Sequence, residues 1–329
     1  MTLRPSLAAL ALIASPANAA EPLPVGPCIN MGNHLEPERE SGWGGKRIDA
    51  ADFARIRAAG FDTVRIPVRW SNKTAAANHR IDPAWLRRVT EVVDQALAAD
   101  LNVILNDHNF GDLHEHPDAN RDKLAAIWRQ VALHFADRPT ARLWFEIENE
   151  PHDALTNDNL LPTLAPALAA IRASNPDRPV VIGGGNWSGI DSLATLELPD
   201  DPNVYPTFHY YEPFDFTHQG ATWAGPVPKA HTRDYGTPAD AERLDADVAK
   251  LDAYIARTGR TPFMGETGAY DGGISLAERI QYHAAVREAF APSGIGVCAW
   301  AYTNTFPFWD RREERWLPGL REAFGLPED

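Results

Sequence analysis

Leu143-Trp144-Phe145-Glu146-Ile147-Glu148-Asn149-Glu150-Pro151 is the stretch on which the fold turns. Leu143–Ile147 is an apolar-rich run of strand length. It breaks at once into Glu148, Asn149, Glu150 and the strand-stopping Pro151. An apolar strand that ends in a burst of polar side chains is how a buried parallel strand delivers groups to the mouth of a sheet. Runs of the same kind recur at Cys28–Gly32, Thr63–Ile66, Asn102–Asn106, Pro179–Ile182, Val204–Phe208, Phe263–Gly265 and Gly296–Trp300, which makes eight strands.

Amphipathic stretches alternate with them. Ala51–Ala59 carries apolar residues at helical spacing and stops at Gly60, a C-cap signal. Ala84–Ala99 follows Asp82-Pro83, a capping residue with proline in the first turn. Lys123–Ala136, Leu160–Ser174, Ala239–Thr258, Leu276–Phe290 and Leu317–Phe324 follow, and Ile190–Leu196 is the short candidate for the helix after strand five. Eight strands alternating with eight helices predict an α/β fold, a single-domain (β/α)8 TIM barrel. The competing doubly wound sheet needs a phosphate-binding glycine loop after an early strand. Gly183-Gly184-Gly185 comes after the fifth strand with no dinucleotide fingerprint around it, and reads as a tight turn.

Arg4, the apolar run Leu7–Ile13 and the small-residue pattern Ala17-Asn18-Ala19 read as an export signal. The expected organisation is therefore a signal peptide over 1–19 and a catalytic barrel over 20–329, secreted or periplasmic. A net charge of −14 argues against nucleic acid and anionic membranes as partners. A neutral polysaccharide makes no charge demand, and ten tryptophans supply flat faces for sugar rings. A monomer is expected, with no cofactor.

A barrel active site lies where strands end. Arg65, Asp107-His108-Asn109, Asn149-Glu150, His209-Tyr210-Tyr211, Glu266 and Trp300 all stand at or near strand ends. Glu150 and Glu266, on strands four and seven, face each other across the mouth. Two opposed carboxyls suit hydrolysis of a glycosidic bond, in which one protonates the leaving oxygen and the other attacks the anomeric carbon or activates water.

Phe145–Pro151 resembles the strand-four signature of glycoside hydrolase family 5, the cellulase family of retaining barrel glycosidases. Val64-Arg65-Ile66-Pro67, His108, His209-Tyr210-Tyr211, Glu266, Trp300 and Asn30–Glu36 match it as well, and Tyr211–Trp223 looks like a loop of some of its bacterial cellulases. The resemblance implies a retaining endo-β-1,4-glucanase; β-mannanase, xyloglucanase and other β-glycanases are the alternatives on the same site. It implies Glu150 as acid/base, Glu266 as nucleophile, Asn149 on the sugar 2-hydroxyl, and Arg65 and Tyr211 orienting Glu266 and keeping it ionised. His108 and His209 would line the cleft, and Trp300 its floor. A nearby arginine lowers a carboxyl pKa, whereas the acid must keep its proton, so the two environments should differ. An inactive sugar-binding barrel would have lost a carboxylate, and both are present. A metal-dependent barrel using its histidines would lose activity to a chelator.

Several residues carry competing readings. Glu148 departs from the family pattern, where a hydrophobic or small residue is common. In a regular strand it would share the interior face with Glu146 and Glu150, so it is expected to pair with Arg65 or Arg69 or to be turned outward by a bulge. Glu146 reads as the structural partner of a barrel arginine. His114-Glu115-His116 reads as a solvated or cleft-edge loop, with zinc ligation as the weaker alternative. Cys28 and Cys298 fall on neighbouring strands of a closed barrel, either as a disulfide or as buried thiols. Trp187, Trp223 and Trp309 are expected to face the cleft, with Trp223 as a sugar platform; Trp70, Trp85, Trp128 and Trp144 are expected to pack.

Overall fold

The computed structural model describes residues 21–225 and 232–327. The expected export segment, 1–19, lies outside the described residues. Eight parallel strands close a barrel in chain order: β1 (Pro27–Asn30), β2 (Thr63–Ile66), β3 (Asn102–Asn106), β4 (Leu143–Glu146), β5 (Val180–Gly183), β6 (Val204–Tyr210), β7 (Phe263–Thr267) and β8 (Val297–Ala299). β8 pairs back onto β1 with Cys28 opposite Cys298, and the two cysteines form a disulfide across that seam.

Helices follow the strands: α1 (Ala50–Ala58), α2 (Pro83–Ala98), α3 (Gly111–Glu115), α4 (Pro117–His134), α5 (Asn157–Arg172), α6 (Phe214–Thr217), α7 (Pro238–Thr258), α8 (Leu276–Phe290) and α9 (Leu320–Ala323). Their starts are written locally. Asp49, Thr237 and Ser275 each form a capping box, and Asp82 caps α2 ahead of Pro83. α4 begins six residues before the expected Lys123, because Pro117 sits at a first-turn position where its missing N–H costs nothing. The fifth helix is only a 3-10 segment, Ile190–Ala194, which ends at Thr195, short of the expected Leu196. Among the described residues no helix is long and apolar enough to cross a membrane.

The strands are buried on both faces. Val64, Val103, Phe145 and Val180 join the main core under the helices. Ile104, Trp144, Val181, Phe263 and the two cysteines form a separate cluster that fills the barrel. Alternation then puts Arg65 and Glu146 in the interior layer above it, at the carboxyl ends of the strands, and the register shifts of β7 against β6 and β8 turn Glu266 into the same layer.

Candidate active site

Arg65 is fully buried and organises that layer. Its Nε and Nη2 donate to the two oxygens of Glu146 at 2.7 Å each. Its Nη1 donates to Asn30 Oδ1 at 2.9 Å and to Glu266 Oε1 at 2.6 Å, and Nη2 donates again to Asn149 Oδ1 at 2.6 Å. All five guanidinium N–H groups are used, so a cation that would be costly to bury is fully compensated. Glu146 is the structural partner the sequence suggested.

Glu266 stands where the β6–β7 ladder shifts register between Phe208 and His209. A Cβ at the preceding Gly265 would lie 2.9 Å from His209 Nε2, so glycine is what lets the imidazole sit against β7. The Tyr211 hydroxyl donates to Glu266 Oε2 at 2.9 Å. His209 Nδ1 lies 2.7 Å from Glu150 Oε1 and 3.7 Å from Glu266 Oε2. One oxygen of Glu150, one of Glu266 and a ring nitrogen of His209 lie within 4.8 Å of one another. These three converge closely enough to be read as a metal cradle. However, Arg65 and Tyr211 already donate to Glu266, and His209 is hydrogen-bonded to Glu150, so the group reads as a carboxylate pair and not as a ligand set.

Burial pushes both carboxyls up. For Glu150 it outweighs the pull of Arg65, His152 and His114 and brings the pKa to about 7. Glu266 is also raised, by burial, against the opposing effects of His209, Arg65 and Tyr211. The sequence reading expected Arg65 to lower Glu266. Instead desolvation wins, because Arg65 spends most of its donors on Glu146, Asn149 and Asn30. The pair still divides unequally. Glu266 receives two direct donors and Glu150 one, so Glu266 is the first of the two to ionise. His209 is held down to about 4 by burial and is therefore neutral. The Tyr211 hydroxyl is held well above its usual range by burial and keeps its proton.

The cleft above is about 950 Å³ and is lined by Asn149, Glu150, His209, Tyr211, Trp187 and Trp223, among others. Trp187 and Trp223 are 51 % and 59 % exposed, flat faces open to a ligand. Trp300 stacks face-on over His108, with centroids 5.8 Å apart and planes 8° apart. His108 is buried, and its Nδ1 accepts from Asn106 at 3.2 Å.

Three readings change or sharpen. Trp309 is buried against Arg55 and Trp316, away from the cleft, because it sits in the short hairpin β9 (Trp309–Asp310) with β10 (Arg315–Trp316). His114 lines the cleft, as the cleft-edge reading had it, but lies on the short helix α3 and is buried while His116 is exposed, so their imidazoles do not converge on one ion. Glu148 pairs with neither Arg65 nor Arg69; its Oε1 lies 2.9 Å from His114 Nε2. The cause is a break in alternation after β4. Glu146 and Asn149, three residues apart, both reach Arg65, so Glu148 is turned aside. Asn30 and His152 belong to the site and were not singled out. Asn30 hides in a short strand, and His152 follows Pro151 with no periodicity to mark it.

Known proteins share this fold and family signature. The family model described as Cellulase (glycosyl hydrolase family 5) matches residues 28–306. Endoglucanase H of Acetivibrio thermocellus is 32 % identical over 272 residues, 82 % of this chain but 29 % of that protein, so the chain spans under a third of its length. A xyloglucan-specific endo-beta-1,4-glucanase of Bacteroides ovatus is 33 % identical over 57 % of this chain and 44 % of its own. A solved hyperthermophilic endo-beta-1,4-glucanase in complex with substrate superposes with a TM-score of 0.87 at 37 % identity, covering 92 % of this chain and 97 % of its own. Thermotoga maritima Cel5A in complex with cellobiose gives 0.87 at 34 % identity, covering 91 % and 97 %. With the family model spanning all eight strands, the chain belongs to glycosyl hydrolase family 5.

Proposed function

We propose that this chain is a retaining endo-β-1,4-glucanase with Glu266 as nucleophile and Glu150 as acid/base. The observation that carries the reading is the carboxyl pair, with oxygens within 4.8 Å of each other. Retention needs carboxyls about 5–5.5 Å apart, whereas inversion needs about 6.5–9.5 Å to admit a water.

Glu266, the first to ionise, attacks the anomeric carbon while Glu150, protonated below pH about 7, gives its proton to the departing oxygen. Esterification neutralises Glu266, one of whose oxygens lies within 4.8 Å of one of Glu150, so with that negative charge gone Glu150 becomes easier to ionise and takes the proton of the water that releases the product. Asn149 is positioned by Arg65 for the sugar 2-hydroxyl. Tyr211 and Arg65 hold Glu266, Trp300 over His108 forms the floor, and Trp223 is a sugar platform.

The substrate is a β-1,4-glucan met as a neutral polymer, the enzyme acts as a monomer, and residues 1–19 export it. Xyloglucan and mannan are second readings. One relative is described as xyloglucan-specific, and one solved relative is described in complex with mannotriose. Wild type, Glu150→Gln and Glu266→Gln are to be assayed on carboxymethyl cellulose, xyloglucan and mannan. Hydrolysis of carboxymethyl cellulose by wild type alone is expected. A preference for mannan would overturn the substrate, and activity surviving in Glu266→Gln would overturn the mechanism.

A further inference from the structure

Behind Glu150 runs a chain of hydrogen bonds that the chemistry above does not use. His152 Nδ1 lies 2.6 Å from the backbone carbonyl of Glu150. His152 Nε2 lies 3.2 Å from His114 Nδ1, and His114 Nε2 lies 2.9 Å from Glu148 Oε1. The His152 ring also stacks on Trp187, with centroids 4.9 Å apart and planes 11° apart. Glu150 itself holds φ at +50°, left-handed backbone that a non-glycine residue adopts only under constraint.

The direction of the chain follows from its first link. A carbonyl oxygen only accepts, so His152 Nδ1 must carry the hydrogen. A neutral His152 then has a bare Nε2, which must accept from His114 Nδ1–H. A neutral His114 has a bare Nε2, which must accept from Glu148. Only a protonated carboxyl can donate there. The alternative moves one proton along the chain, to His114 or on to His152, whose Nε2 lies 3.7 Å from Asp153 Oδ2, and in either case leaves a buried carboxylate at Glu148.

Burial argues against that alternative. Glu148 is 2 % exposed, and its Oε2 has no well-formed hydrogen bond, a heavy cost for an anion and a small one for a neutral acid; the backbone N–H of Phe110 is the one neighbour that favours the charge, and burial outweighs it. The charged groups around it do not reverse the balance. Glu146 on β4 and Asp107 after β3 both disfavour a second negative charge, and Glu150 and Asp153 face His114. Lys123 on α4 acts on Asp107, and His108 is neutral. Burial accordingly raises the Glu148 carboxyl well above its usual range and lowers His114 to about 4.

We propose that Glu148 is a positioning residue: a neutral carboxylic acid that donates through His114 to His152, and so fixes both the Glu150 turn and the Trp187 face of the cleft. The inference rests on the glucanase reading for its consequences but not for its proton arrangement. It differs from the sequence expectation, in which Glu148 paired with Arg65 or Arg69 or was turned outward by a bulge.

The test compares Glu148→Gln with Glu148→Leu. An amide N–H donates as the acid does, so Glu148→Gln is expected to keep kcat and KM within about twofold, whereas Glu148→Leu loses about tenfold in kcat/KM, the worth of one buried donor. Equal losses in the two variants would mean that a carboxylate is required, and no loss in Glu148→Leu would mean that nothing is positioned; either overturns the proposal. If Glu148→Leu does not fold, His152→Phe keeps a ring against Trp187 but removes the donor to Glu150. There kcat should fall with KM unchanged, and the opposite split would contradict the proposal. Imidazole 15N NMR reads the chain without substrate. His114 with Nδ1 protonated and Nε2 bare at pH 6, in wild type and Glu148→Gln alike, is expected, and a His114 protonated at Nε2, whether neutral or doubly protonated, would refute it. Wild type inactive on every β-glucan would defeat the glucanase reading and leave this measurement intact.

Discussion

Two regions of one barrel mouth each hold a glutamate, and they are built in opposite ways. Around Glu266, the floor is a charged network in which Arg65 donates five hydrogen bonds and Tyr211 a sixth to the same cluster. Around Glu150, the wall is made of neutral imidazoles, with His209 on its carboxyl and His152 on its carbonyl. The floor is sealed, whereas the Glu150 side chain keeps 24 % of its surface open. Identical side chains a few ångströms apart thus acquire different proton affinities from the donors they meet.

The largest expected effect separates the two by chemistry. Glu150→Gln should cost about 10²–10⁴-fold on cellulose-type substrates, the worth of general acid catalysis. It should cost far less on an aryl cellobioside whose leaving group needs no proton. Glu266→Gln should be inactive on both, and equal recovery of the two variants on the aryl substrate would erase the assigned roles.

Next comes the floor itself. Arg65→Met leaves Glu146 and Glu266 buried without their cation and should lower stability by about 3–5 kcal/mol in chemical denaturation. His152→Phe, on the wall, should cost well under half of that. Similar losses would mean that the two regions are not built differently.

The disulfide, in the barrel-filling cluster below the Arg65 layer, provides a reference. Cys28→Ser with Cys298→Ser opens the β1–β8 seam and should cost about 2–4 kcal/mol with kcat unchanged. A changed kcat would mean that the mouth depends on the seam.

The smallest effect is a pH dependence of stability. The folded pKa of Glu150, about 7, lies above its ordinary 4.5. Its contribution is therefore full below about pH 4.5 and is lost as pH rises through 7. Glu150→Gln should be no more stable than wild type at pH 4.5 and more stable at pH 8, by about 1–2 kcal/mol after allowing for its open face. Thermal unfolding at the two pH values reads this, and a gain that shrinks toward pH 8 would reverse the sign.

Much of this was legible in the sequence, for a physical reason. Parallel barrel strands are buried on both faces, so they appear as short apolar runs, and the polar residues that end them are the mouth. Arg65, Asn149, Glu150, His209, Tyr211 and Glu266 were found that way. What escaped depended on breaks in periodicity. Glu148 was misdirected because alternation fails between Glu146 and Asn149. His114 was read as part of a solvated or cleft-edge loop because a five-residue helix leaves no pattern. Trp309 was assigned to the cleft because a two-residue strand gives no sign of the hairpin that buries it. The direction of the Glu266 shift was missed because it depends on how Arg65 shares its donors, which only three-dimensional contacts reveal.

The central claim is that the carboxyl pair is spaced for double displacement. Proton NMR of the first product released from a soluble β-1,4-glucan tests it most directly. The β-anomer should accumulate first, with the α-anomer following only at the rate of mutarotation; initial release of the α-anomer would contradict the account.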